Sequence, residues 1–199
     1  MATVTPTLDG DVLAVLALHD VAFTTGQLHQ MLTRHSESGI RKVLQRLVEQ
    51  GVVLSDRVGN AFAYRLNHDH LAAAHILGLA RLQETLLRRI EDRLASWAPP
   101  PPYAAVFGSA ARGAMSPGSD LDLLLIRPNG VDSDIWEAQA NDLAADVTHW
   151  IGNDTRILEF TAADLAARGR DEPVLRAVLD DGLTVAGTHA WLNKQLRKR

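Results

Sequence analysis

Hydrophobic positions along this 199-residue chain change their period several times, and each change predicts an element. Between Asp11 and His19, Val12, Leu13, Val15, Leu16 and Leu18 make a short helix. A second helix follows Thr24 or Thr25, either of which can cap it, with Leu28, Met31 and Leu32 as its apolar stripe. A third runs from Gly39 to Gln50, capped by Ser36 or Ser38. Its Ile40, Val43, Leu44, Leu47 and Val48 recur at helical spacing, and Gly51 ends it. Residues 52–66 then read as two apolar strands around a Val58-Gly59-Asn60 turn, a hairpin signal. From His70 to Trp97 the positions Leu71, His75, Leu79, Leu82, Leu86, Ile90, Leu94 and Trp97 step by three or four. This stripe predicts one amphipathic helix of roughly 40 Å at about 1.5 Å per residue. Its other face carries Arg81, Glu84, Arg88, Arg89, Glu91, Asp92 and Arg93. A stripe of that length needs a partner, the same helix of a second copy or a neighbouring domain, and a homodimer is the expectation.

The sharpest break in composition is Pro99-Pro100-Pro101-Pro102, a stiff and extended run that ends any helix before it. Beyond it strands and helices alternate. An apolar strand opens at Tyr103 and a second one ends at Ile126. A helix covers Asp132 to Ile151 and stops at Gly152-Asn153. A third strand covers Thr155 to Phe160, and Thr161 caps a helix through Ala167. A further helix runs from Glu172 to Asp181, and residues 182–187 return as a short strand. The tail from Lys194 to Arg199 is basic and reads as solvated. Alternation of this kind makes the second half α/β. The expected division is 1–67, a mainly helical domain with a hairpin; 68–98, a long connecting helix; and 99–199, an α/β (α+β) domain.

Composition removes several function classes. There is no cysteine, so disulfides and thiolate metal sites are excluded. No run of eighteen apolar residues exists, so no helix is expected to span a membrane. The opening residues lack the basic segment and apolar core of a signal peptide, and the expected location is the cytoplasm. A net charge of −4 argues against broad non-specific nucleic-acid binding and leaves room for a local basic surface.

The chemistry concentrates between Tyr103 and Ile126. A short apolar strand ends in Gly108-Ser109, and a small-residue helix start is expected to follow. A loop rich in Gly, Pro and Ser leads to Asp120-Leu121-Asp122 and a second apolar strand. Residues i and i+2 of a strand share a face, so Asp120 and Asp122 point the same way. Adjacent carboxylates repel unless they are solvated or neutralised by a cation. Mg²⁺ takes one or two carboxylates together with substrate phosphates. A Gly-Ser turn presents backbone N–H groups to phosphate oxygens, and a helix N-terminus would add to them. Gly108 lets the backbone come close. These parts describe a site for a metal-bound nucleoside triphosphate, with Mg²⁺ or Mn²⁺ as the cofactor.

The order Gly108, Ser109, Arg112, Gly113, Ser119, Asp120, Asp122 resembles the signature of the nucleotidyltransferase superfamily that includes DNA polymerase beta. It looks most like the minimal members related to kanamycin nucleotidyltransferase, over about residues 100–187. The resemblance implies that Gly108 and Ser109 hold the triphosphate, with Arg112 and Ser119 beside it. It implies that Asp120 and Asp122 bind metal. It also implies a third carboxylate on a later strand, often the base for the incoming hydroxyl. Glu159 is the only acid on the strand Thr155–Phe160 and is the expected base, a Glu where the usual residue is Asp. Asp154, just before that strand, and Asp146, on the preceding helix, are the alternatives.

The order helix, helix, helix, hairpin upstream resembles a winged helix-turn-helix of bacterial transcriptional regulators. The resemblance implies that Ser36, Ser38, Arg41, Lys42 and Arg46 face DNA, with Arg57 and Asn60 near the wing tip. Residues 1–70 carry six bases and seven acids, a net of −1, which is modest for a DNA binder. The winged helix can equally serve protein interaction. His68, His70 and His75 read as solvated rather than metal-ligating, for no thiol or clear third ligand lies near them.

Two functional classes follow. One is an enzyme that moves a nucleotidyl group from an NTP, ATP by expectation, to a hydroxyl. The other is a transcriptional regulator or toxin–antitoxin component whose α/β domain only binds nucleotide or a partner. The acceptor is not legible. About ninety residues surround the site, which leaves little room for a dedicated acceptor pocket.

Overall fold

The computed structural model describes residues 6–116, 118–169 and 171–197. It divides into two compact units between Gln83 and Glu84.

The first unit contains α1 (Leu8–Leu18), β1 (Phe23–Thr24), α2 (Thr25–Met31), α3 (Glu37–Glu49), β2 (Val53–Val58), β3 (Ala61–Leu66) and α4 (Ala73–Ala80). Thr24 caps α2 through a capping box with Gln27. Ser36, not Ser38, caps α3, its hydroxyl accepting the Gly39 N–H at 3.2 Å. The expected hairpin is β2 and β3, joined at Gly59 and paired from Val53↔Leu66 to Val58↔Ala61. The sheet order β1-β3-β2 adds a two-residue strand that the sequence pattern left unseen. Val12, Leu16, Leu28, Ile40, Leu44, Leu47, Val53, Leu66 and Ile76 close one core around the three helices, the hairpin and α4. This is a winged helix.

The expected single helix over 70–97 is two helices, α4 and α5 (Leu82–Ala95). Arg81 interrupts them at φ −96° and ψ 15°, its N–H turning back to the carbonyls of Leu77 and Leu79. The stripe is two stripes. Ala73 and Ile76 of α4 are buried in the first unit, and Ile90 and Leu94 of α5, with Trp97, are buried in the second. Of the expected stripe, Ile90, Leu94 and Trp97 are buried within the chain, whereas Leu71, His75 and Leu82 are exposed. The proline run likewise lies inside the second unit, not at its border, because α5 packs there.

The second unit continues with β4 (Tyr103–Phe107), β5 (Leu121–Arg127), α6 (Ser133–Ile151), β6 (Thr155–Thr161), α7 (Ala162–Arg168), α8 (Pro173–Asp181), β7 (Leu183–Ala186) and α9 (His189–Arg197). The sheet order is β6-β5-β4-β7, with β5 and β6 parallel and the other pairs antiparallel. Alternation along β5 divides the core. Leu121, Leu123 and Leu125 face α5 and α6, meeting Ile90, Leu94, Trp136, Leu143 and Val147. Leu124 and Ile126 face the other way, with Leu165 of α7, Leu175 and Val178 of α8, and Leu192 and Leu196 of α9. A helix layer thus covers each side of the sheet. The described part of the basic tail is the end of α9: Leu192 and Leu196, at i, i+4 spacing, are buried, while Lys194 and Arg197 stay exposed. Tyr103, buried in that second layer and bonded to Thr184 at 3.2 Å, has its phenol pKa raised by burial, with the hydrogen bond opposing the rise.

Gly187 follows β7 at φ +71°, and a Cβ there would lie 2.2 Å from the Pro102 carbonyl oxygen. Gly152 has a similar φ of +77° in open space. We expect Gly187→Ala to cost more than about 2 kcal/mol and Gly152→Ala about 1 kcal/mol, the backbone term alone. Denaturant unfolding of the two variants checks the difference, and equal losses would show that the Pro102 contact is unimportant.

Candidate functional site

β4 and β5 build the site through one pairing. Phe107, the last residue of β4, lies opposite Asp122. The next residue, Gly108, turns at φ +72°, and a Cβ on it would lie 2.7 Å from Asp122 Oδ2. Glycine is required there twice, by the backbone and by the carboxylate beside it.

Residues 108–113 are successive turns, not the expected helix start. Arg112 N–H reaches Gly108 O at 3.4 Å, Gly113 N–H reaches Ala110 O at 3.3 Å, and Ala114 N–H reaches Ser109 O at 2.9 Å. Gly113, at φ +65°, stops any continuation. A single turn has no macrodipole to offer, so what remains for an anion is the turn itself. Ser109 sits half-buried on this turn.

Arg112 is exposed and donates from Nη1 to Asp181 Oδ2 at 3.0 Å. Asp181 is the last residue of α8, so Arg112 ties the turn to that helix. Ser119 is likewise engaged within the loop. Its hydroxyl accepts the Ser116 N–H at 3.0 Å and meets the Ser116 hydroxyl at 2.8 Å. The buried Asn153 donates from Nδ2 to the carbonyls of Ser116 at 3.0 Å and Ser119 at 2.8 Å. Asn153 therefore fixes the loop that delivers Asp120. It followed the helix-ending Gly152 in the sequence and looked like an ordinary turn residue.

Asp120 directly precedes β5 and Asp122 lies within it. By strand parity both belong to the face of Leu124 and Ile126. In the parallel register Arg156 of β6 is the partner of Asp122, so it stands on that face as well. Its Nη2 lies 2.8 Å from Asp120 Oδ2. Arg156 is the neighbour of both aspartates that the sequence did not disclose, since its face depends on a register that only the folded sheet sets.

The geometry removes Glu159 from this group. Glu159 pairs with Leu125, on the opposite face and three positions further along β6. It accepts the Trp136 Nε1–H at 2.6 Å and lies 3.2 Å from Arg127 Nε. Its carboxylate is a joint between α6, β5 and β6. Of the alternatives, Asp146 is on α6 and paired with Arg93 at 3.0 Å. Asp154 is exposed just before β6, and its carbonyl accepts the Leu121 N–H at 2.8 Å. Among the described residues no three His, Asp or Glu side chains gather as a metal cage. Two carboxylates on one face, with a Cβ-free cradle beside one of them, do fit a hard cation that keeps waters and takes phosphate oxygens.

Residues 87–158 match the family model of the nucleotidyltransferase domain. The chain carries a nucleotidyltransferase domain. The match takes in α5 from Leu87 onward, β4, the turn, both aspartates, α6 and Arg156. Residues 7–97 match the model of the penicillinase repressor, so a repressor-like winged helix precedes it. No curated protein matches the chain. Among solved structures it is similar to one described as a toxin-antitoxin with AMP-PNP, at 17% identity and TM-score 0.41, covering 55% of this chain and 80% of that one. It is also similar to one described as the toxin-antitoxin MntA-HepT, at 17% identity and TM-score 0.37, covering 57% and 80%.

In the repressor-like winged helix, α3 buries Ile40, Val43, Leu44 and Leu47 and exposes Ser38, Arg41, Lys42 and Gln45. Arg41 pairs with Glu37 one turn earlier at 2.8 Å. Arg46 is exposed one turn beyond Lys42 and is paired with Asp9 of α1. Arg57 is exposed on the wing, its Nε donating to Gly59 O at 3.2 Å. Ser36 spends its hydroxyl on the helix cap. Of the histidines, His70 Nδ1 accepts the Ala72 N–H at 3.1 Å.

Replacing Glu159 with Ala strands the Trp136 N–H and loosens Arg127. We expect a loss of about 1–2 kcal/mol in stability with a shift in tryptophan emission, whereas Asp120→Asn leaves stability within about 0.5 kcal/mol. Unfolding followed by fluorescence measures both; an unchanged Glu159→Ala midpoint would overturn the structural role.

Proposed function

We propose that the nucleotidyltransferase domain is an active enzyme that moves a nucleotidyl group from an NTP to a hydroxyl acceptor and releases pyrophosphate. The observation that carries this reading is the seating of Gly108, without a Cβ, against the Asp122 carboxylate, with Asp120 on the same face. Asp120 and Asp122 hold Mg²⁺ or Mn²⁺ in this reading. A divalent ion so held supplies charge neutralisation for the phosphate oxygens. The Gly108-Ser109 turn receives the outer phosphates through backbone N–H groups and the Ser109 hydroxyl. Arg112 acts at one remove, holding the turn on α8 through Asp181. Ser119 shapes the loop before Asp120. Transfer of this type needs positioning and charge more than proton chemistry, which suits a site whose face lacks Glu159.

The winged helix binds DNA in this reading, through Ser38, Arg41 and Lys42 on the outer face of α3 and Arg57 on the wing. Their common exposure supports it; Arg46, one turn beyond Lys42, joins them only by releasing Asp9, as Arg41 must release Glu37.

Incubation with each labelled NTP and a cell lysate, with Mg²⁺, tests the enzyme. We expect label transfer to fall at least about a hundredfold in Asp120→Asn and in Asp122→Asn with the fold intact; full activity in the double variant would sink the reading. For the winged helix, Arg41→Ala with Lys42→Ala should weaken DNA binding about tenfold and lower the slope of log affinity against log salt by about 2. Anisotropy titrations over a salt series read both, and an unchanged slope would exclude phosphate contact by these residues.

A further inference from the structure

Arg156 is placed at the candidate site without a role in the reading above, on which the following inference rests. Three facts define it. It is the register partner of Asp122 across β5 and β6, so its stem leaves the sheet beside that carboxylate. Its guanidinium reaches sideways to Asp120, at 2.8 Å. Its side chain is 73% exposed while that of Asp120 is 27% exposed. One backbone position therefore answers both carboxylates, by its stem beside one and its charge on the other.

We infer that Arg156 is a triphosphate-binding residue that rests on Asp120 until metal and nucleotide arrive. The two carboxylates share a face, and their repulsion needs a counter-charge. Arg156 provides one from within the sheet. Asp120 cannot give its oxygen fully to a divalent cation and to a guanidinium together, so metal entry displaces Arg156. An exposed ion pair of this kind shifts an equilibrium by no more than about fivefold, so the tether is weak enough to yield. The freed guanidinium is anchored beside Asp122 by its register and has solvent on its other side. Its planar fork of donors suits phosphate oxygens. The exchange moves a positive charge from protein to substrate, with no bond made or broken. It gives the domain a cation that responds to occupancy, whereas the partner of Arg112 is Asp181 and not one of the two aspartates.

The exchange makes opposite demands on two affinities. In Arg156→Gln, Asp120 loses its competitor, so Mn²⁺ alone should bind up to about fivefold more tightly, read by electron paramagnetic resonance of the free ion. The same variant should bind a non-hydrolysable NTP analogue in Mg²⁺ about tenfold more weakly or worse, read by calorimetry, and Arg156→Lys should recover part of that loss. Circular dichroism confirms the fold of each variant. If Mn²⁺ affinity in Arg156→Gln is unchanged or weaker, or nucleotide affinity is unchanged, Arg156 is only a surface ion pair and the inference is overturned. A wild-type chain that binds neither Mn²⁺ nor nucleotide overturns the nucleotidyl-transfer reading and this one with it. Normal wild-type binding with an unresponsive variant overturns this one alone.

Discussion

The pairing of β4 with β5 is the constraint on which the site depends. It sets Phe107 opposite Asp122 and brings Gly108 against the carboxylate that follows. No side chain other than hydrogen fits that place, and no L-residue but glycine takes its backbone angle without strain. The remaining parts hang on this register. The loop that leaves Gly108 must return in time to start β5 at Leu121, and Asn153 secures its return from beneath. Arg112 secures its outer end on α8. The face that carries both aspartates is then a property of one hairpin-like pairing, fastened at two points by Asn153 and Arg112.

Burial explains why the division of the chain differs from its composition. A proline run is a strong local signal, but local stiffness does not decide which core a segment joins. Trp97, Ile90 and Leu94 are consumed by the second unit, so the prolines fall within it. The stripe upstream served two cores and had to break between them, at Arg81. A stripe that looks long enough for a partner is, in this chain, two short stripes end to end.

Charge in the candidate site is a balance between two carboxylates and one arginine. Glu159 belongs to a different balance on the reverse of the sheet, where Trp136 and Arg127 satisfy it. The two sets lie on one strand pair and differ only in parity. β6 therefore presents an arginine to the site and its acid to the core.

Much of the molecule was legible from the chain alone. Helix caps at Thr24, Ser36 and Thr161, the hairpin at Gly59, and the left-handed stop at Gly152 are local events, set by the hydrogen bonds and backbone angles of a few neighbouring residues. The Gly108-Ser109 and Asp120-x-Asp122 pattern carried its chemistry for the same reason, since i and i+2 share a face whatever the rest does. Other features needed the fold. The two-residue β1 has too little sequence to declare itself, and α9 hid its apolar pair among charges. Arg156 and Glu159 stand three residues apart on one strand, and the sequence offered the acid as the natural third member. Which of them reaches the aspartates depends on strand register, a long-range choice made by packing both faces of the sheet. That choice gave the place to the arginine.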